Sequence, residues 1–151
     1  MRRIKNMGMR GFTLVELAVV VVIIGILAAF AVPKFLASVE RSKAAEAFNY
    51  LSTIQAAQER YHARQGTYAQ DITKLDVAIP VIQYFETAGI ADSDATALQT
   101  HWSQTLTRKG PSAGYGAYTV TFTENGYDSE NSTITDKQEI NPMQTTTASG
   151  G

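Results

Sequence analysis

The chain has 151 residues, 13 of them lysine or arginine against 14 aspartates and glutamates, and no cysteine. Without cysteine a disulfide staple, thiolate catalysis and cysteine-zinc sites are all excluded. The formal charge of −1 hides an asymmetry, because Arg2, Arg3, Lys5 and Arg10 all precede the apolar run; nine basic and fourteen acidic side chains follow, about −5, which argues against nonspecific nucleic-acid binding.

Residues 1–11 show no apolar periodicity and read as a basic targeting leader, one that keeps the N-terminus cytoplasmic and sends the rest outward. From Phe12 to Val32 the chain carries 21 residues with one charge, Glu16. At about 1.5 Å per residue, a helix of this length spans the roughly 30 Å hydrocarbon core of a bilayer. A charge at the centre of such a span costs about 2.5–3.5 kcal/mol, and less near an end, which makes Glu16 a functional-site candidate.

Two processing readings compete here. In one, Ala29-Phe30-Ala31 is a small-x-small signal-peptidase site and the apolar run is discarded, which leaves the stretch Phe12 to Glu16 without a purpose. In the other, the cut falls between Gly11 and Phe12, where a glycine lets a protease approach the backbone closely, and the apolar run survives. Cleavage there turns the Phe12 amide into a cationic amine, and Phe12 and Glu16, spaced i and i+4, share a helix face.

Gly11-Phe12-Thr13-Leu14-Val15-Glu16, between a short basic leader and an unbroken apolar tract containing Gly25 and Pro33, resembles the class III signal of type IV pilins and of type II secretion pseudopilins. The resemblance covers roughly residues 2–64. It implies that a prepilin peptidase cuts after Gly11 and N-methylates Phe12, and that Glu16 seeks the Phe12 amine of the adjacent subunit in a homo-oligomeric helical filament. Two such charges about 4 Å apart attract by about 4 kcal/mol at an effective dielectric near 20, before desolvation is subtracted, so the pair sets register more than affinity. Close packing of apolar tracts, eased by Ala18, Gly25, Ala28, Ala29 and Ala31, supplies the affinity. A plain single-pass anchor with a tolerated glutamate leaves the Gly-Phe junction unexplained.

Gly25 has weak helix propensity and Pro33 lacks an amide donor. The resemblance implies that the segment from Gly25 to Pro33 loses helicity on assembly; the residues alone are equally consistent with a helix kinked at Pro33. Residues 34–65 then read as an amphipathic spine helix. Its apolar face carries Ala44, Ala47, Phe48, Leu51, Ile54, Gln58 and Tyr61, and Gly66 stops it. Glu40, Arg41, Lys43, Glu46, Glu59, Arg60 and Arg64 are expected to solvate its outside. The aromatics Phe35, Phe48, Tyr50 and Tyr61 suit packing on a sheet better than electron conduction.

Residues 66–151 form the expected head. Gly66-Thr67-Tyr68 with Ile72 and Leu75 loosely resembles the variable loop of pilins. The stretch Val77 to Phe85, interrupted by Pro80, reads as a broken or edge strand or a packed loop. Ala91 to Trp102 includes a candidate short helix, and Lys109-Gly110-Pro111-Ser112 is a turn. Tyr115 to Glu124 is the clearest strand, with Tyr118, Val120 and Phe122 alternating with Thr119, Thr121 and Thr123. Asn125-Gly126 signals a hairpin whose return begins at Tyr127, Ser132 to Thr135 is a further short strand, and residues 143–151 are expected to be mobile. The fold class is α+β: a long N-terminal helical spine, apolar over 12–33 and amphipathic over 34–65, packed on a small antiparallel sheet.

No phosphate loop, nucleophile elbow or zinc motif is present, so the head reads as structural, not enzymatic. His62 and His101 are read as structural or solvated. Asp92, Asp94, Asp128 and Glu130 are weak oxygen-ligand candidates for calcium, which the resemblance associates with the C-terminal loop of major pseudopilins; otherwise no cofactor is expected. Asn131-Ser132-Thr133 matches a short glycosylation pattern of low specificity.

These features favour a prepilin. The resemblance implies that it starts as a single-pass protein of the bacterial inner membrane, embedded in the lipid bilayer, and is drawn by inner-membrane assembly machinery into an extracellular type IV pilus-like filament for motility, adhesion or DNA uptake. The alternative is a periplasmic pseudopilin of type II secretion. Against it, Ala69 follows Gly66-Thr67-Tyr68 where the pseudopilin pattern has proline, and the later Asp-Pro-Trp-Gly segment is missing. A membrane-tethered binding or enzymatic domain is the third reading, and no site constellation supports it. The disulfide that closes the C-terminal loop of many pilins has no counterpart here.

Overall fold

The computed structural model describes residues 11–91 and 94–144. Helix α1 (Leu14–Gln65) is followed by strands β1 (Phe85–Ile90), β2 (Ser103–Arg108), β3 (Thr119–Thr123) and β4 (Gly126–Asp128), with short 3-10 turns at Ile72–Lys74, Ala97–Gln99 and Thr133–Asp136. The chain divides into two compact units, Met1–Phe35 and Leu36–Gly151.

In the first unit every described residue is exposed, with Leu14 at 86% and Phe30 at 72%. The side chains are apolar around the whole circumference, so no face is distinguished as an inside. Gly25 and Pro33 both lie within helical geometry. Pro33 has no N–H to offer the Ala29 carbonyl four residues earlier, which marks the weakest point of the ladder. This is the one helix among the described residues long and apolar enough to cross a membrane by length and composition.

The second unit buries one stripe of α1: Ala44, Ala47, Phe48, Leu51, Ile54, Ala57 and Gln58, at steps of three and four. The helix ends at Gln65 because Gly66 turns into the left-handed region (φ +73°), where a residue without Cβ pays no steric cost, while its N–H still reaches the His62 carbonyl at 2.8 Å. The sheet is an antiparallel meander in the order β1-β2-β3-β4. Its inner face presents Leu106, Val120 and Phe122; Phe48 packs edge-on against Phe122 at 5.9 Å between centroids and lies 5.0 Å from Tyr127. Trp102, Ile134 and Ile140, all fully buried, extend this core toward the C-terminal segment.

Several details depart from the sequence reading. Of the readings offered for Val77 to Phe85 the packed loop holds up to Tyr84, with Val77, Ile79 and Ile82 partly buried against the core and Pro80 having no donor for a ladder, and the edge strand starts only at Phe85. Strand β2 has no apolar alternation to announce it, because two of its three inward positions are Gln104 and Arg108. Strand β3 begins at Thr119, since Ala113, Gly114 and Gly116 hold positive φ just before it. The hairpin turns on Glu124-Asn125, and Gly126 (φ +99°) opens β4 opposite Thr123. Residues 132–135 are not a strand: a 3-10 turn occupies Thr133–Asp136.

Side-chain hydroxyls stand in there for a strand partner. Ser132 Oγ accepts the Thr121 N–H at 2.8 Å and Thr133 Oγ1 accepts the Thr119 N–H at 2.8 Å, so hydroxyls continue the β4 side of β3 where the three-residue β4 ends. Together with buried Ile134, Ile140 and Asn141, these bonds hold the C-terminal segment on the sheet. Of the stretch expected to be mobile, residues 145–151 lie outside the described residues, as does the leader up to Arg10.

Glu40 is the largest correction. Expected on the solvated side, it is 1% exposed and its carboxylate meets Arg108, itself 1% exposed, at 2.6 Å (Oε1 to Nε) and 3.1 Å (Oε2 to Nη2). Tyr118 Oη donates to Oε1 at 2.9 Å, and Lys43 Nζ lies 3.5 Å from Oε2. Burial alone pushes the Glu40 carboxyl up, but the Arg108 and Tyr118 hydrogen bonds and the two cations outweigh it and hold the group below its ordinary value.

Candidate processing and assembly site

The N-terminus of α1 is built by a Thr-x-x-Glu pattern. Thr13 sits just before the first helical residue, Leu14, and its carbonyl accepts the Leu17 N–H at 3.2 Å. Thr13 Oγ1 accepts the Glu16 N–H at 3.2 Å, and Glu16 Oε2 in return accepts the Thr13 N–H at 2.9 Å and the Thr13 hydroxyl at 2.8 Å. This reciprocal exchange is a capping box, which satisfies amide donors that a helix start leaves without intrahelical partners. The carboxylate also lies where the helix dipole favours negative charge.

The single chain therefore gives Glu16 a partner that the sequence reading missed. The signal was present, since threonine followed three residues later by glutamate ahead of an apolar run marks a helix start. Among the described residues the hydrogen bonds of the Glu16 carboxylate all fall on Oε2, which leaves Oε1 to other partners. Phe12, 76% exposed, is the residue before the cap. At Gly11 nothing lies within 4 Å of where a Cβ would stand, so the Gly11-Phe12 peptide is sterically accessible.

The remaining candidates lie in the head. Asp128 Oδ1 accepts the backbone N–H of Glu130 (3.0 Å) and of Asn131 (3.1 Å), and Oδ2 accepts Asn131 Nδ2 at 2.7 Å. The bonds from Asn131 hold its carboxyl below the ordinary range. Asp94 caps a turn through the Thr96 N–H at 3.1 Å. Glu130 is exposed and Asp92 lies outside the described residues. Among the described residues no three His, Asp or Glu side chains converge in a way that could hold a metal ion. His62 stacks on Tyr68 at 4.3 Å and bonds the Gln99 carbonyl at 3.0 Å, while His101 Nδ1 lies 2.7 Å from Glu124 Oε2. Both histidines join neighbouring segments, as a structural role requires.

Residues 6–32 match a family model described as the prokaryotic N-terminal methylation motif. Over 69 residues the chain is 42% identical to the type IV major pilin protein PilA of Myxococcus xanthus, a match covering 46% of this chain and 31% of that protein. It is 40% identical over 72 residues to the fimbrial protein EcpC of Eikenella corrodens, 48% of this chain and 47% of the relative. A shorter match, 62% over 37 residues, joins it to the type IV major fimbrial protein FimA of Dichelobacter nodosus, 24% of this chain and 23% of that one. The chain thus aligns with less than half the length of these relatives. No solved structure matches it significantly. Over its N-terminal half the chain is similar to type IV pilins and fimbrial proteins.

Proposed function

We propose that this chain, with its pilin-type N-terminal half and α+β head, is a structural subunit that polymerises through its N-terminal helix into a type IV pilus-like filament. The observation that carries the reading is the first unit itself: an apolar helix exposed on every side, with one carboxylate at its N-terminal end. Such a surface requires an apolar environment, and lipid before assembly and copies of the same tract after it both provide one.

Processing follows from the same site. A prepilin peptidase cuts between Gly11 and Phe12 and methylates the new Phe12 amine, and the membrane assembly machinery then extracts the subunit. In the filament Glu16 serves two partners. Oε2 remains in the capping box with Thr13, and Oε1 takes the Phe12 amine of the neighbouring copy. The relatives named as pilins and fimbrial proteins favour a surface pilus over a periplasmic pseudopilus.

Mass spectrometry of the mature N-terminus tests the reading first. A chain that starts at methylated Phe12 supports it, whereas a start at Val32 overturns it. Electron microscopy of fibres sheared from cells then separates pilus from pseudopilus, since long surface fibres built of this protein exclude a periplasmic piston.

A further inference from the structure

We propose that the end of the head where α1 enters docks on the surface of an anionic phospholipid bilayer. This rests on the reading that the apolar tract lies in lipid before assembly, and it adds a second contact that such a chain makes with the same membrane.

The second unit has two ends along α1. At one, the Glu40 carboxylate meets Arg108, the last residue of β2, and Tyr118, just before β3, while Glu46 accepts the N–H of Gln83 at 2.7 Å and of Tyr84 at 3.0 Å. At the other, Gln55 Nε2 donates to the Glu124 carbonyl at 3.3 Å, in the turn that joins β3 to β4. Glu40 stands about one helical turn after Leu36, the first residue of the unit, and Gln55 about five turns after it. The Glu40 end is therefore the one that follows on from the apolar tract in the chain.

Exposed apolar side chains gather at that end. Among the described residues the large ones in this unit are Leu36, Val81, Tyr84 and Met143, and Val81 is 86% exposed. Val81 lies two residues before Gln83, which Glu46 holds, and Met143 precedes Gln144, whose carbonyl accepts Arg41 Nη2 at 3.3 Å. None of them stands at the far end, where the turn and the segment after it carry Glu124, Asp128 and Glu130.

Cations flank the apolar group. Arg108 and Glu40 neutralise each other. Of the charges left beside Tyr84 and Gln144, Arg41, Lys43 and Lys109 outnumber Glu46 and Glu86 by one, and the Glu46 carboxylate is already committed to two backbone N–H groups. A bare aliphatic side chain, a tyrosine and surrounding basic groups suit the headgroup zone of a bilayer, where apolar atoms enter the acyl boundary and ammonium groups face phosphate. The acidic far end is repelled by the same surface, which selects one orientation of the head. The contact is also set in advance, since Arg108 donates to the carbonyls of Tyr84 (3.2 Å) and Pro111 (2.7 Å) and little ordering remains to be done.

Methyl NMR on the full-length chain, one copy per nanodisc, tests the docking with a nitroxide placed near the headgroup end of the acyl chains. In discs of mixed phosphatidylglycerol and phosphatidylcholine the Val81 and Met143 methyls should relax strongly, and the Ala63 methyl near the far end of α1 should not. Tethering alone brings the near end close to any lipid, so the deciding measure is the change on substitution. Phosphatidylcholine alone, or Lys109→Glu, should lower docking about fivefold or more, and Val81→Asp should abolish it while thermal melting of the head stays unchanged. Val81 relaxation indifferent to lipid charge and to both substitutions would overturn the proposal, as would a Val81 contact seen only when two copies share a disc, which assigns the surface to a second copy. A nitroxide at the acyl-chain terminus reports the apolar tract through the Val22 methyl. Relaxation of Val22 without docking of Val81 overturns this proposal alone, and its absence overturns the membrane reading as well.

Discussion

One helix carries two glutamates with opposite fates. Glu16, on a tract with no interior, keeps its charge by folding back on the helix start through Oε2, and its Oε1 has no partner among the described residues. Glu40, within the head, is enclosed by Arg108, Tyr118 and Lys43 until nothing of it faces water. The difference lies in what surrounds each carboxylate. Where side chains are apolar on every side, a carboxylate can be satisfied only by its own backbone or by another molecule; where the helix has one buried stripe, the sheet supplies the partner. The first arrangement leaves a residue available for the assembly role proposed for it, and the second consumes it in the fold.

The largest effects should come from the assembly end. Gly11→Phe should abolish processing, read as an unshifted precursor mass. Glu16→Ala should leave insertion, cleavage and head melting intact but eliminate sheared filaments; normal filament yield from this variant would refute the role proposed for Glu16. Next comes the head, where Arg108→Ala leaves a buried carboxylate unpaired and should cost about 3–5 kcal/mol in denaturant unfolding without changing membrane insertion.

The same pair sharpens the comparison through pH. Because the Glu40 carboxyl is held below its ordinary value near 4.5 in the fold, its contribution is fully present above that value and is lost as the pH falls through its lowered pKa. Stability of the head should therefore drop in acid, and Glu40→Gln should start less stable and show a flatter profile. A smaller loss, about 1–3 kcal/mol, is expected for Ser132→Ala, which orphans the Thr121 N–H where β4 ends; equilibrium unfolding measures it. Smallest is Thr13→Ala, which removes the cap and should cost about 1 kcal/mol of helix stability, seen as faster amide exchange over the first turn.

Much of this was readable in advance. Twenty-one residues with one charge, the Gly-Phe-Thr-Leu-Val-Glu string and the steps of three and four from Ala44 to Gln58 are local patterns, and local geometry turns them directly into helix faces. Tyr118, Val120 and Phe122 are buried as their alternation implied, but Thr121 between them is buried too, its N–H and hydroxyl bonded to Ser132 and Asn131. Strand β2 escaped because its inward positions are polar. A buried Gln104 or Arg108 is acceptable only when partners arrive from elsewhere in the chain, and Glu40 lies 68 residues away.

By itself the sequence determined the apolar helix, its single carboxylate, the amphipathic stripe and the place where the helix stops, since each depends on residues within a few positions of one another. Only the tertiary structure decided that Glu40 is buried and that hydroxyls of residues 132 and 133 continue the pairing of β3 beyond β4. The physical reason is desolvation. Whether a polar side chain can leave water depends on which partner the fold brings to it, and no local pattern records that partner.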